Sequence, residues 1–131
     1  MLIPAAGGIV FDEQRRLLLI LRSKPPSALT WSVPGGKCRP GESPAQACVR
    51  EVGEETGLAV QVLRWVGRVH RAAPAGGEFV IDDFLCAVVG GTLRAGDDAA
   101  DARWFDLAGM SGIPLAPGLA DALADWRLLP A

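Results

Sequence analysis

Four glutamates crowd into the stretch from Gly36 to Leu58, GKCRPGESPAQACVREVGEETGL: Glu42, Glu51, Glu54 and Glu55. Arg50 and Lys37 are the positive charges weighed against them. Like charges at these separations destabilise a helix unless something positive sits among them. Stepping ~100° per residue, Glu51, Glu54 and Glu55 fall within one ~100° sector of a helix. Glu55 lies nearest the apolar edge and is expected to be the most shielded. Partly desolvated carboxylates have raised pKa values unless a cation keeps them ionised. An all-oxygen donor set selects a hard ion, Mg²⁺ or Mn²⁺, over zinc. Arg50 and Glu54 are i, i+4 neighbours, so the arginine can orient one carboxylate and leave the others free. The alternative for the helix alone is a solvated acidic face.

The elements around these residues must hold them in place. Ser43 is a good N-cap, Pro44 suits the first helical position, and Gln46 completes a capping box. Gly57 suits a left-handed C-cap, so the cap signals predict a helix from about Pro44 to about Thr56. Ala45, Cys48, Val49 and Val52 form its expected buried stripe. Upstream, Gly35-Gly36 lets the backbone approach a ligand closely, and Glu42 stands just before the helix N-terminus, where the helix dipole also favours it.

Ile3 to Phe11 and Leu17 to Arg22 read as strands joined by the polar turn Asp12 to Arg15. Pro25-Pro26-Ser27 marks a loop, and Trp31-Ser32-Val33 a short strand stopped by Pro34-Gly35-Gly36. Val60 to Val69 and Phe79 to Val89 read as longer strands separated by the small-residue loop Ala72 to Gly77. Gly90-Gly91 begins a turn, and Arg103-Trp104-Phe105 suggests another strand. From Gly118 to Leu128, Leu119, Ala122, Leu123 and Trp126 recur at helical spacing and predict a helix docked by one face. Strands outnumber helices without regular alternation, which favours a mixed sheet flanked by helices.

The chain has 131 residues, half of them apolar, and reads as one domain over 1–131 with a real core. A net charge of -2 offers no general attraction to nucleic acid or anionic membranes, so neither is an expected partner. A polyanionic ligand must be held by a local site. The three cysteines, Cys38, Cys48 and Cys86, lack CxxC spacing and read as reduced thiols of a cytoplasmic protein. The segment MLIPAAGGIVF lacks a basic leader and is broken by Pro4, Gly7 and Gly8, so a first strand is expected rather than a signal peptide.

Gly36, five residues, Glu42, seven residues, then Arg50-Glu51-Val52-x-Glu54-Glu55-x-Gly57-Leu58 resembles the complete Nudix box. All nine fixed positions are filled, and a match of that kind is highly specific. The Trp-Ser-Val-Pro-Gly-Gly-Lys approach and the late Asp-Ala-Arg-Trp-Phe strand also look like a small Nudix, or MutT-like, domain. The resemblance implies an α/β/α sandwich with a mixed sheet between helices. It also implies Mg²⁺-dependent hydrolysis of a nucleoside diphosphate linked to another moiety. By the family pattern Glu51, Glu54 and Glu55 bind metal, helped by the backbone carbonyl of Gly36 or Gly35. Arg50 orients a carboxylate, and Glu42 is an outer residue on the metal or substrate side. A carboxylate outside the box often serves as general base. Asp98 falls where such a residue would, beside Asp97 and Asp101; a solvated acidic turn is the alternative, and Glu51 or Glu54 would then inherit the role.

Arg22 stands where MutT-like enzymes carry a phosphate-contacting arginine, and Lys37, in the glycine-rich loop, is a second phosphate candidate. Pro74, sixteen positions past Leu58, resembles the downstream proline of ADP-ribose pyrophosphatases. The chain has no tyrosine, unlike diadenosine polyphosphate hydrolases, and no asparagine with which to read an oxidised guanine. Asp82 or Asp83 would have to replace it, although a solvated edge position is the preferred reading of that pair. Trp31, Trp65, Trp104 and Trp126 are candidates for base stacking or, more simply, for the core. The leading expectation is therefore a hydrolase of ADP-ribose or a related nucleotide sugar. The alternatives are a MutT-type nucleoside triphosphate pyrophosphohydrolase and a non-catalytic nucleotide-sugar binding module. A homodimer is an open expectation.

Overall fold

The computed structural model describes residues 1–24, 28–96 and 98–131. The expected loop at Pro25-Pro26-Ser27 and the candidate neighbour Asp97 lie outside the described residues. Seven strands and three helices run in the order β1 (Leu2–Val10), β2 (Leu17–Arg22), β3 (Trp31–Ser32), β4 (Gly35–Lys37), α1 (Pro44–Thr56), β5 (Leu58–Ala72), β6 (Glu78–Gly91), β7 (Ala99–Phe105), α2 (Leu107–Ser111) and α3 (Leu119–Asp125).

The strands form two sheets, ordered β4-β1-β6-β5 and β3-β2-β7. The first is mixed: β1 runs parallel to β6 and antiparallel to β4. The architecture is thus α/β, a mixed sheet packed with helices, as expected. β1 and β2 are joined by a turn in which the Asp12 carboxylate accepts the N–H groups of Gln14 and Arg16. They do not pair along their length, however, and meet in a single bridge, Phe11 to Leu17. Each goes to its own sheet. The continuous apolar run of β2 explains this: Leu18 enters the core against α1, whereas Leu17 and Leu19 enter a second core with Ile9, Trp31 and Leu123. A strand buried on both faces reads as an unbroken hydrophobic run.

Four expectations change. Gly35 to Lys37 is a strand rather than a loop, paired with β1 through Ala6↔Gly36 and Gly7↔Gly35. Glycine is needed there, because a Cβ on Gly35 would lie 2.3 Å from the Ala6 carbonyl. Gly90-Gly91 stays in β6, with Gly91 opposite Leu58, rather than starting a turn. The short helix α2, capped by the Asp106 carboxylate on the Gly109 N–H, carries too few residues for a periodic signal.

The fourth change concerns α1, which has the expected bounds, capping box and left-handed Gly57 (φ 74°). Its buried face is Ala47, Cys48, Val52, Glu55 and Thr56, while Val49 is 39% exposed. The stripe is rotated because the two polar residues are satisfied where they are buried. The Thr56 hydroxyl donates to the Val52 carbonyl at 2.6 Å, and Glu55 accepts the Gly35 N–H at 2.8 Å.

Candidate active site

α1 packs on β1 and β4, so the box carboxylates stand at the edge of the sheet beside Gly35 and Gly36. The Arg50 guanidinium organises them. Its Nε and Nη2 donate to Glu42 at 2.8 and 2.9 Å, its Nη1 to Glu51 at 2.8 Å and Glu54 at 3.1 Å, and Nη2 also to the Lys37 carbonyl at 3.0 Å. All five guanidinium N–H groups can be used by such a set, which a lysine could not reproduce. The expectation that Arg50 orients one carboxylate is therefore too small: it holds three. Arg39 was not counted among the offsetting charges, yet its Nη2 lies 3.3 Å from Glu54. It is five residues from the helix start, so only the fold of the loop could reveal the pairing.

Electrostatics separates Glu42 from Glu55. The bidentate hydrogen bond from Arg50, with the Arg39 N–H, holds Glu42 down at about 2. The same hydrogen bond to Glu42, with that to Glu51, raises Arg50 above its ordinary value. Glu55 goes the other way. Burial pushes it up to about 8, with Glu51 and Asp98 adding repulsion and the Gly35 N–H and Arg22 opposing.

These residues border a cavity of about 770 Å³ between the two sheets. Arg22, Lys37, Asp98, Glu51, Glu54 and Glu55 all line it, as do Gly36 and Arg50. Glu42 does not; it stands behind Arg50. Asp98 lies 2.8 Å from Lys24, and its backbone carbonyl accepts the Ser23 hydroxyl. Asp101 is turned onto Arg103 at 2.7 Å. Lys37 lies 5.8 Å from the centroid of the Phe79 ring, which also lines the cavity.

Apolar side chains also line the cavity, Val69, Phe79, Ile81 and Trp126, together with Arg71, the cross-strand partner of Phe79. Of the candidate stacking tryptophans, Trp126 is the one among its lining residues. Trp31 packs edge-on against Phe105 at 4.9 Å, Trp104 packs against the α1 core, and Trp65 donates to Asp82 at 3.0 Å. Asp82 also binds Arg68 at 2.9 Å. Asp83, whose preferred reading was a solvated edge, is instead 5% exposed and lines the cavity. Strand alternation divides the two: one aspartate faces Arg68, the other faces inward.

Among the described residues no three carboxylates converge to hold a metal ion, because Arg50 draws Glu51 and Glu54 to itself. The donor chemistry nevertheless fits a hard divalent cation. A Cβ on Gly36 would lie 2.6 Å from the Glu51 carboxylate, so the glycine leaves a cradle of carboxylate over bare backbone. Glu55, protonated by burial, is a ligand that such a cation would ionise.

A family model described as NUDIX domain matches residues 1–126. The chain belongs to the Nudix family. An ADP-ribose pyrophosphatase of Methanocaldococcus jannaschii is 38% identical over 105 residues, 79% of this chain and 61% of its own length. The 8-oxo-dGDP phosphatase NUDT18 of Mus musculus is 32% identical over 101 residues, 74% of this chain and 30% of its own. This chain thus spans less than two thirds of either relative. The crystal structure of a MutT NUDIX hydrolase from Burkholderia pseudomallei superposes with a TM-score of 0.83 at 27% identity, covering 95% of this chain and 97% of that one.

Proposed function

We propose that this chain, acting as one domain over 1–131, is a Mg²⁺-dependent Nudix hydrolase for which Mn²⁺ is a working substitute. It cleaves the pyrophosphate bond of a nucleoside diphosphate linked to another moiety, ADP-ribose or a related nucleotide sugar. The observation that carries this reading is one cavity lined by two unlike sets of residues: the box carboxylates with Arg22 and Lys37, and the apolar Phe79, Ile81 and Trp126. A nucleotide has the same division, an anionic diphosphate and a flat, largely apolar base.

In this reading Glu51, Glu54, Glu55 and the Gly36 carbonyl would hold the divalent ion, which would supply neutralisation of phosphate oxygens and acidification of water, the chemistry a hydrolytic attack on a dianion requires. Arg50, anchored from behind by Glu42, holds Glu51 and Glu54 beside the cavity. Arg22 and Lys37 take the phosphate oxygens. Asp98 accepts the proton of the attacking water, and Glu51 or Glu54 takes over that role if Asp98 is dispensable. Catalysis is then mostly positioning and charge stabilisation. The reading includes a cytoplasmic location, a small-molecule nucleotide as partner with neither nucleic acid nor membrane, and a homodimer supported by exposed Leu63 and Trp65 on edge strand β5. Among the described residues no helix is long and apolar enough to cross a membrane.

A second reading, nucleoside triphosphate pyrophosphohydrolysis, is favoured by the name of a Bacillus subtilis relative, putative 8-oxo-dGTP diphosphatase, 33% identical over 97 residues. A substrate panel with Mg²⁺ separates the two by products: two monophosphates from a nucleotide sugar, pyrophosphate plus a monophosphate from 8-oxo-dGTP. Metal-dependent binding of nucleotide sugars with no turnover of any of them would overturn both in favour of a binding module.

A further inference from the structure

Asp83 sits in β6 beside Gly7 of β1, its partner in the parallel register. Its Oδ1 is buried and, among the described residues, is the buried side-chain oxygen that lacks a hydrogen-bond partner. A Cβ on Gly7 would lie 2.3 Å from that oxygen, so the glycine makes the room it occupies. Both residues line the cavity, with Val69, Ile81 and Trp126 around them and Arg71 close enough to attract the carboxylate. Its neighbour Asp82 is fully engaged by Arg68 and Trp65. An unpartnered buried polar oxygen is destabilising, and a ligand removes that cost by supplying the partner.

The position adjoins the box. The register runs Asp83, Gly7, Gly35, and the Gly35 N–H is held by Glu55. The Asp83 carboxylate leans over Gly7, so it stands about one interstrand spacing, roughly 5 Å, from the strand that Glu55 grips. Trp126, packed on the Gly67 that pairs with Asp83, offers an apolar surface beside it.

We propose that Asp83 is a specificity-determining residue that hydrogen-bonds an N–H-bearing edge of the substrate's nucleobase. The inference rests on the nucleotide-hydrolase reading and deepens it. Burial pushes the Asp83 carboxyl up to about 7, aided by Asp82 and opposed by Arg71. Near neutral pH it therefore offers both an O–H donor and a carbonyl acceptor. That pair matches a base edge carrying an N–H next to an acceptor, and a base lacking the match leaves Oδ1 unpaired. Discrimination of this polar kind exceeds what an apolar pocket achieves by shape.

The test is calorimetric binding of AMP, GMP, UMP and CMP to the full chain with Mg²⁺, using ribose 5-phosphate as a base-free control. Wild type is expected to prefer one nucleotide, and Asp83→Leu to weaken that nucleotide by about tenfold or more, the equivalent of one lost hydrogen bond to a buried group. Ribose 5-phosphate binding stays unchanged. Asp83→Asn, which keeps shape and hydrogen bonding but removes the titration, changes the order of preference and guards against a misfolded Leu variant; thermal melts check both. Equal binding of all four nucleotides by wild type overturns the proposal. So does parallel weakening of every nucleotide and of ribose 5-phosphate, or an unaltered preference in both variants. Turnover of the matching nucleotide sugars is read separately: its absence beside an Asp83-dependent preference overturns the hydrolase reading and leaves the base contact standing.

Discussion

Two acid–glycine pairs in the cavity are built on the same device and differ in their partners. In one a carboxylate, Glu51, leans over Gly36; in the other Asp83 leans over Gly7, and in both places a Cβ would collide with it. Glu51 is clamped by Arg50 at 2.8 Å. Asp83 has an oxygen with no partner at all. A glycine opposite an acid therefore creates space for a carboxylate, and the neighbouring cations decide what that carboxylate is for. Arg50 hydrogen-bonds Glu51, whereas Arg71 attracts Asp83 without bonding its Oδ1, and burial leaves that carboxyl raised to about 7.

The sharpest way to break this comparison is among the carboxylates beside Glu51. Glu54→Gln or Glu55→Gln is expected to abolish Mg²⁺-dependent turnover while leaving the melting transition in place. Loss of a metal carboxylate removes several kcal/mol of transition-state stabilisation, more than about a hundredfold in rate. Wild-type rates in both variants would sink the metal assignment. Next comes Arg50→Lys, which cannot reproduce the fivefold pattern of bonds. Apparent Mg²⁺ affinity from activity titrations should drop by about 10–100-fold, the usual cost of losing a group that orients metal ligands.

In the other pair, Gly7→Ala is expected to destabilise the fold by about 1–3 kcal/mol in urea titrations, because overpacking must displace Asp83. The double variant Gly7→Ala with Asp83→Ala should recover most of the loss, and simple additivity would show that the two residues do not touch. A smaller effect acts through pH. Glu55 and Asp83 rise from ordinary values of 4.5 and 3.8 to about 8 and about 7, so the folded state holds their protons more tightly than the unfolded one. The stability they contribute is full below about 4 and is lost as pH climbs through 7 to 8. Melting in EDTA should therefore fall between pH 5 and 9, with Glu55→Gln and Asp83→Asn each flattening part of the slope; a rising profile would refute both burial effects. The smallest change expected is Arg68→Ala, which removes an exposed guanidinium from Asp82 and should shift the melting temperature least of these variants.

Much of the box was legible in advance. Ser43, Pro44, Gln46 and Gly57 mark the helix because caps act within a few residues, and the helix period then gathers Glu51, Glu54 and Glu55. The shielding of Glu55 followed from the same geometry. Less was legible where contacts run between distant segments. Val49 looked buried by period, but the helix turned toward Thr56 and Glu55 once Gly35 offered its N–H. Arg39 and Asp83 carried no local signal: one needed the loop to fold back on Glu54, the other needed β1 to bring Gly7 alongside.

By itself the sequence determined the carboxylate helix and its family, since both depend on spacings within one short segment. The tertiary structure decided that Arg50 grips three glutamates, that β1 and β2 part into separate sheets, and that one cavity brings the box carboxylates together with Asp83 and Trp126. The physical reason is range. Helical periodicity and capping are encoded over a few residues, whereas the cavity arises from strand pairings separated by tens of residues, and only their packing sets which acid is left without a partner.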